Sequence, residues 1–429
     1  MSGSQSFARQ SLGLARNLWK KLPLGSSLRG VVSPAFWSLY ERYYWRDVTR
    51  PAPTHAKGPG PVNVAGYLSQ THGLAASANR CIATLKRLGV EVRTLDLSDA
   101  RPDVSGSASK HDEYARGPWI IHVNAPEFML AHATIGKELL SRSFVAGYWA
   151  WELPEAEPAW KDKTKFLSEL WVPSHYTAKA FEDCQDLPVR VVPHIFETQR
   201  GITPAAKRQA LALGSDEFIA VALCDLRSSA ARKNPQGAIC AFKQAFGSDT
   251  SAKLILKIQN GDWAPRIMAE LQALADGSNI VLIDEKWPGD RVVDLIAAAD
   301  VLISLHRAEG FGVTMAEAMA LETPVIATGW SGNTDFMTDD TAILIPSRQI
   351  PVKDPQGVYS GQYWAEPDIN AASSALTKLR NDPDFARTLA KRAKAQIAEK
   401  LSDHAYAQSL GPAFWSAAGV RQPAEPSTD

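Results

Sequence analysis

Ser304-Leu-His-Arg-Ala-Glu-Gly-Phe-Gly-Val-Thr-Met-Ala-Glu-Ala-Met-Ala-Leu-Glu-Thr-Pro-Val-Ile-Ala-Thr328 reads as a strand, a loop, a helix and a second strand. That order is the unit from which doubly wound parallel sheets are built. Within it Glu309 and Glu317 lie eight positions apart around Gly310 and Gly312. Glycine lets backbone approach a ligand closely, and the N–H groups that open a helix point at whatever anion lies there. Glu309 falls in the loop and Glu317 on the first turns of the helix. One carboxylate can then reach a sugar hydroxyl and the other a ribose, which suits a sugar nucleotide; the plainer alternative is a surface loop with a solvated helix.

Working outward, apolar runs at 62–68, 91–97, 119–123, 144–151, 170–173 and 189–193 are strand candidates. Between the first two, Ala78, Cys81, Ile82, Leu85 and Leu88 recur at helical spacing. A second series follows at 218–223, 253–258, 280–283, 301–305, 324–327 and 342–345. Strands alternating with helices imply parallel sheets with right-handed crossovers, and ligands bind beyond the carboxyl ends of such strands. The predicted fold is therefore α/β, with two Rossmann-like doubly wound domains facing a cleft. Residues 1–60 read as a basic leader and linker, 61–197 as the first domain, 198–400 as the second, and 401–429 as a C-terminal helix and disordered tail. The piece 404–415 is expected to return toward the first domain.

The chain has 429 residues, 46 basic and 46 acidic side chains, and so no net charge to draw it to nucleic acid. Its four cysteines, Cys81, Cys184, Cys224 and Cys240, show no paired spacing of the zinc or redox kind, which fits a reducing, cytoplasmic setting. No apolar run is long enough to span a membrane, and no compact signal segment precedes the first domain. Residues 1–50 nonetheless carry eight basic and two acidic side chains. Phe7, Leu14, Leu18, Trp19 and Leu22 can share a helical face beside those cations, as an interfacial helix on the inner face of an anionic membrane requires, or as a helix packed on the body requires.

Arg232 and Lys233 stand just ahead of a helix, after the first strand of the second series. A planar fork of donors and a compact ammonium at such a turn suit a diphosphate. In the first domain Gly73 opens a helix, and Asn124 and Glu152 each follow a strand and should overlook the cleft. Trp149 and Trp151 either stack on sugar faces there or seal an inter-domain edge. His122, His175 and His194 read as hydrogen-bonded structural histidines. Acidic residues form no compact set that would hold a divalent ion, so no metal is expected.

With these residues in place, Arg232-Lys233, Glu309 to Glu317 and Thr323-Pro-Val-Ile-Ala327 resemble the nucleotide-sugar site of GT-B glycosyltransferases, in particular retaining family 4 and its bacterial polysaccharide branch. The likeness extends through Gly147-Tyr-Trp-Ala-Trp-Glu-Leu153, Leu170-Trp-Val-Pro-Ser174, Ser331-Gly-Asn-Thr-Asp-Phe-Met337 and Tyr363-Trp-Ala-Glu-Pro-Asp368. It implies that the first domain takes the acceptor and the second the donor. Glu309 would then bond donor-sugar hydroxyls, Glu317 hold the ribose, and Arg232 with Lys233 neutralise the diphosphate. Gly310, Phe311 and Gly312 would add backbone contacts and Gly73 a phosphate contact, although members usually carry more glycine at that loop. Asn124, Trp149, Trp151 and Glu152 would form the acceptor side. The implied reaction moves a hexose, mannose by resemblance, from a GDP- or UDP-linked donor to a saccharide or lipid-linked acceptor, with no cofactor. A sugar-nucleotide epimerase and a non-catalytic sugar-nucleotide scaffold are the alternatives on this architecture.

Overall fold

The computed structural model describes residues 41–46, 48–51, 58–70, 73–98, 114, 116–184, 186–196 and 208–423. The expected interfacial helix with Phe7, Leu14, Leu18, Trp19 and Leu22 lies outside these residues, as does residue 424 onward.

Two six-stranded parallel sheets dominate. The first holds β1 (Val62–Gly66), β2 (Val92–Asp96), β3 (Trp119–His122), β4 (Val145–Tyr148), β5 (Glu169–Val172) and β6 (Val189–Val191), in the order β2-β1-β3-β4-β5-β6. The second holds β7 (Phe218–Asp225), β8 (Ala252–Gln259), β9 (Ile280–Asp284), β10 (Val301–Ser304), β11 (Val325–Thr328) and β12 (Ile343–Ile345), in the order β12-β11-β10-β7-β8-β9. These strands fall on the apolar runs of the sequence and form the two facing α/β domains expected from it. Helices cover both faces, so β3, β4 and β5 are buried along their whole length while the edge strands β2 and β9 are half exposed.

Strand order reverses between β1 and β3 in the first sheet and between β7 and β10 in the second. At such a point successive crossovers leave for opposite faces, and a crevice opens beyond the carboxyl ends of the two strands. The segments after β1, β3, β7 and β10 carry Gly73, Asn124, Arg232 with Lys233, and Glu309 respectively. Topology alone thus places most of the sequence candidates at the two crevices.

Three further elements join the domains. A hairpin of β13 (Ser347–Pro351) and β14 (Tyr363–Pro367) leaves the second domain, and its Tyr359 and Trp364 enter the hydrophobic core of the first. Helices Asp403–Ser409 and Pro412–Ala418 pack Tyr406, Phe414 and Trp415 against Ile82, Phe144 and Trp171, and Arg87 pairs with Asp403 at 2.7 Å. Residues 41–45 form a helix whose Trp45 stacks on Phe166 with ring centres 3.9 Å apart, and Tyr44 bonds His132 Nδ1 at 2.8 Å. This short helix, within the expected leader and linker of residues 1–60, thus packs its aromatic face on the first domain. No helix among the described residues is long and apolar enough to cross a membrane.

Candidate active site

The turn after β7 explains where the two cations go. Asp225 accepts a hydrogen bond from the Arg227 N–H at 2.9 Å, and Ser229 and Asn234 take positive φ of 63° and 52° on either side of the short helix Ala230–Lys233. Asn234 then caps the next helix, Pro235–Phe246, through the Gly237 N–H, and its amide donates to Leu305 O at 2.8 Å. Arg307 N–H donates to Arg232 O at 2.7 Å, which fastens this turn to the loop after β10.

Arg232, Lys233, Glu309 and Glu152 converge. Arg232 is only 3% exposed. Its Nη1 donates to Ala308 O at 2.8 Å and lies 3.3 Å from Glu309 Oε2, while Nε and Nη2 share Ser228 O. Nη2 also lies 4.0 Å from Oε1 of Glu152, which belongs to the facing domain. Lys233 Nζ pairs with Glu309 Oε1 and keeps a partly exposed side chain. Burial alone would raise the Glu309 carboxyl, yet Lys233 and Arg232 outweigh it and hold that group at about 2. Burial likewise opposes the Arg232 charge, and the Glu309 and Glu152 carboxylates beside it hold it charged.

A pH dependence follows from Glu309. A carboxyl whose folded value lies below its unfolded value near ~4.3 contributes stability above that pH and loses it as pH falls toward the folded value. Thermal unfolding of the native chain and of Glu309→Gln should therefore converge between about pH 4.5 and about pH 2. Curves that stay parallel across that window would contradict the ion pair.

The glycine loop is built for close approach. Gly312 has φ 101°, and a Cβ there would lie 2.5 Å from Met315 Cε, so no other residue fits without strain. Gly310 O accepts from Ser174 Oγ at 2.6 Å, locking this loop onto the first domain. The Phe311 ring is buried between His194 and Phe336, at 4.8 and 4.9 Å, so its side chain is spent on packing.

Glu317 lies in the helix Val313–Ala320 and pairs with Arg80, on the first-domain helix Gly73–Arg87. Burial raises the Glu317 carboxyl by more than Arg80 lowers it. A cavity of about 230 Å³ beside the pair is lined by Arg80, Thr84, Phe196, Val293, Glu317 and Leu321. Gly73 opens the helix that carries Arg80, with open space where its Cβ would stand.

Of the two readings open for the tryptophans, the packing one matches their surroundings. Trp149 is 0% exposed and meets Phe128, Trp160 and Phe181, and Trp151 packs on Trp160 and Tyr359 while donating to Glu155 O at 2.8 Å. Both seal the core beneath the cleft, and neither presents a ring face to a sugar. Asn124 Oδ1 accepts from the Ala150 N–H at 2.9 Å, so its amide braces the loop that leads to Glu152. His122 bonds Ser77, His194 lies 3.4 Å from the Tyr148 hydroxyl, and His175 pairs with Asp335 across the cleft at 3.0 Å. Sequence reasoning missed Arg80 and Tyr359; Arg80 sits off the apolar face of its helix, which is a usable hint, but the contact of Tyr359 with Glu152 spans 207 positions. All four cysteines are free, and no group of three or more metal-ligating side chains converges among the described residues.

Comparison with known proteins identifies a family segment and the fold. Residues 232–354 match the family of glycosyl transferases group 1, a segment that runs from Arg232 past both glutamates. No curated protein sequence matches the chain. Sucrose-phosphate synthase (tll1590) from Thermosynechococcus elongatus superposes with TM-score 0.63 at 16% identity, over 81% of this chain and 96% of that one. Alr3699/HepE of Anabaena, solved with UDP and glucose, superposes with TM-score 0.57 at 14% identity, over 81% and 97%. TarM of S. aureus, in a G117R mutant complex with Fondaparinux, alpha-GlcNAc-glycerol and UDP, gives TM-score 0.50 at 12% identity over 69% of this chain, which spans only 55% of that protein. The chain thus combines a glycosyl transferases group 1 segment with the two-domain fold of the GT-B glycosyltransferases.

Proposed function

We propose that the protein is a retaining family 4 glycosyltransferase that moves a hexose, with mannose the leading choice, from a nucleoside diphosphate sugar to a growing, lipid-linked saccharide in polysaccharide assembly. One observation carries the reading: a lysine and a buried arginine meet Glu309 at the switch point of one sheet, with Glu152 of the other domain facing them. Breaking the bond from anomeric carbon to phosphate builds positive charge on the sugar ring and negative charge on the departing diphosphate. Lys233 lies where it can meet that negative charge, and Glu309 where it can orient the sugar. Glu152 stands on the acceptor side, able to polarise the incoming hydroxyl, while the leaving phosphate can itself take the proton when transfer occurs on one face.

Glu317 is the ribose residue in this reading, and Arg80 now holds it. A nucleotide that engages Glu317 must displace the arginine, which ties donor entry to the contact between domains. The basic composition of residues 1–50 supports an acceptor held at an anionic membrane on the cytoplasmic side. Glu309 between two cations favours transfer over epimerisation, which asks for groups placed to abstract a proton.

The test is a thermal-shift panel of UDP, GDP, UDP-glucose and GDP-mannose. A ligand that binds only the folded state raises its melting point, by about 2.7 kcal/mol of stabilisation at one hundred times its Kd. One nucleoside diphosphate and its sugar should each raise the melting temperature by several degrees, and the stabilising donor should then be turned over. A panel in which nothing shifts the transition contradicts the assignment.

A further inference from the structure

The loop between β13 and β14 is fastened at three places. Gln356 accepts from the Ala230 N–H at 2.6 Å and donates to Leu226 O at 2.6 Å, which ties the loop to the turn that carries Arg232. Asp354 accepts from the backbone N–H groups of Gln356, Val358 and Tyr359 at 3.0 to 3.2 Å, fixing the bend. Gln362 and Glu155 exchange hydrogen bonds at 2.8 and 2.9 Å, holding the far end beside the Glu152 loop of the first domain. The loop therefore bridges the two sides of the site, and Tyr359 stands in its span.

We propose that Tyr359 is a positioning residue of the transfer site, a phenol delivered by the donor-side domain that fixes the Glu152 carboxylate beside Arg232. The inference rests on Glu152 being the acceptor-side carboxylate. Tyr359 Oη donates to Glu152 Oε2 at 2.9 Å, and Oε1 of the same carboxylate faces Arg232. The two oxygens are thereby distinguished, one anchored and one turned toward the reacting side. The ring, 9% exposed, packs on Trp151 at 6.0 Å, with the Arg232 guanidinium 5.7 Å from its centre. Phenylalanine would fill that space as well, so filling the core does not explain the hydroxyl. Burial and the Glu152 charge push the Tyr359 phenol well above its ordinary range, which keeps it a proton donor. Tyr176 Oη lies 3.4 Å from Glu152 O, so the residue is held at its backbone as well as at its carboxylate. Such anchoring matters because a displacement of ~1 Å costs about a hundredfold in a reaction between positioned groups.

Tyr359→Phe removes the hydroxyl and keeps the packing. Release of nucleoside diphosphate from UDP-glucose and from GDP-mannose is measured for the native chain, Tyr359→Phe, Glu152→Gln and the double variant. The expected result is a fall in kcat of about tenfold with donor KM unchanged, and a melting temperature lowered by no more than a few degrees through the lost hydrogen bond. In the Glu152→Gln background the second substitution should cost nothing more, since the carboxylate through which it acts is gone. An unchanged kcat, a loss confined to donor KM, or the same tenfold loss on top of Glu152→Gln overturns the inference while leaving the transfer reading intact. A native chain that turns over neither donor overturns that reading, and the role given to Glu152 with it.

Discussion

Lys233→Ala is expected to slow turnover by about 10² to 10³ while the chain stays folded. In the proposed reaction the ammonium meets the departing diphosphate, and a preplaced charge-stabilising donor of this kind contributes roughly 3 to 4 kcal/mol to the barrier. Its loss should cost some stability, because Lys233 is the stronger of the two cations holding the buried Glu309 carboxylate, but less than loss of the buried Arg232. Lys233 keeps part of its side chain in solvent, and Glu309 retains Arg232 at 3.3 Å as a partner when the lysine goes. Steady-state rates and a melting curve on the same preparation check both halves. A folded variant with native turnover would remove Lys233 from the chemistry, and a melting temperature that collapses would make it a structural residue.

Arg232→Ala, one position away, should lose more stability as well as activity. The guanidinium is nearly fully buried, satisfies the Ala308 and Ser228 carbonyls and stands between Glu309 and Glu152. Removing one member of a buried ionic cluster leaves its partners desolvated and unpaired, at a cost of about 3 to 5 kcal/mol. For a domain of this size that corresponds to a fall in melting temperature on the order of 10 °C. Arg232→Lys should recover only part of it, because an ammonium cannot reproduce the planar fork that reaches two carbonyls and a carboxylate together. Native melting behaviour in Arg232→Ala would mean that the arginine is solvated, contrary to its burial.

The contrast between these neighbours marks what sequence conveys and what it does not. As letters, Arg232 and Lys233 are two cations ahead of a helix, equally suited to a diphosphate. Ser229 and Asn234, with their positive φ, turn the intervening helix so that one side chain enters the core and the other reaches the cleft edge. A local pattern lists cations, whereas burial is settled by what packs on them from elsewhere. Trp149 and Trp151 repeat the lesson: strand ends with tryptophan suit sugar stacking, but Phe128, Trp160, Phe181 and Tyr359 already occupy their faces. Arg80 is the converse case, a helix residue without a distinguishing neighbour in sequence that becomes the partner of Glu317 once the domains meet.

The sequence by itself determined the two sheets, since an apolar run flanked by glycine and followed by a helical period has few ways to bury itself other than as a strand of a parallel sheet. It also determined that Arg232, Lys233 and Glu309 follow strands, which sends them to the carboxyl ends where such sheets bind ligands. Tertiary structure decided which side chains are spent on holding the protein together and which remain for a ligand. Those choices depend on contacts such as Tyr359 with Glu152, between residues far apart in the chain, and only closure of the two domains puts the pair within hydrogen-bond reach.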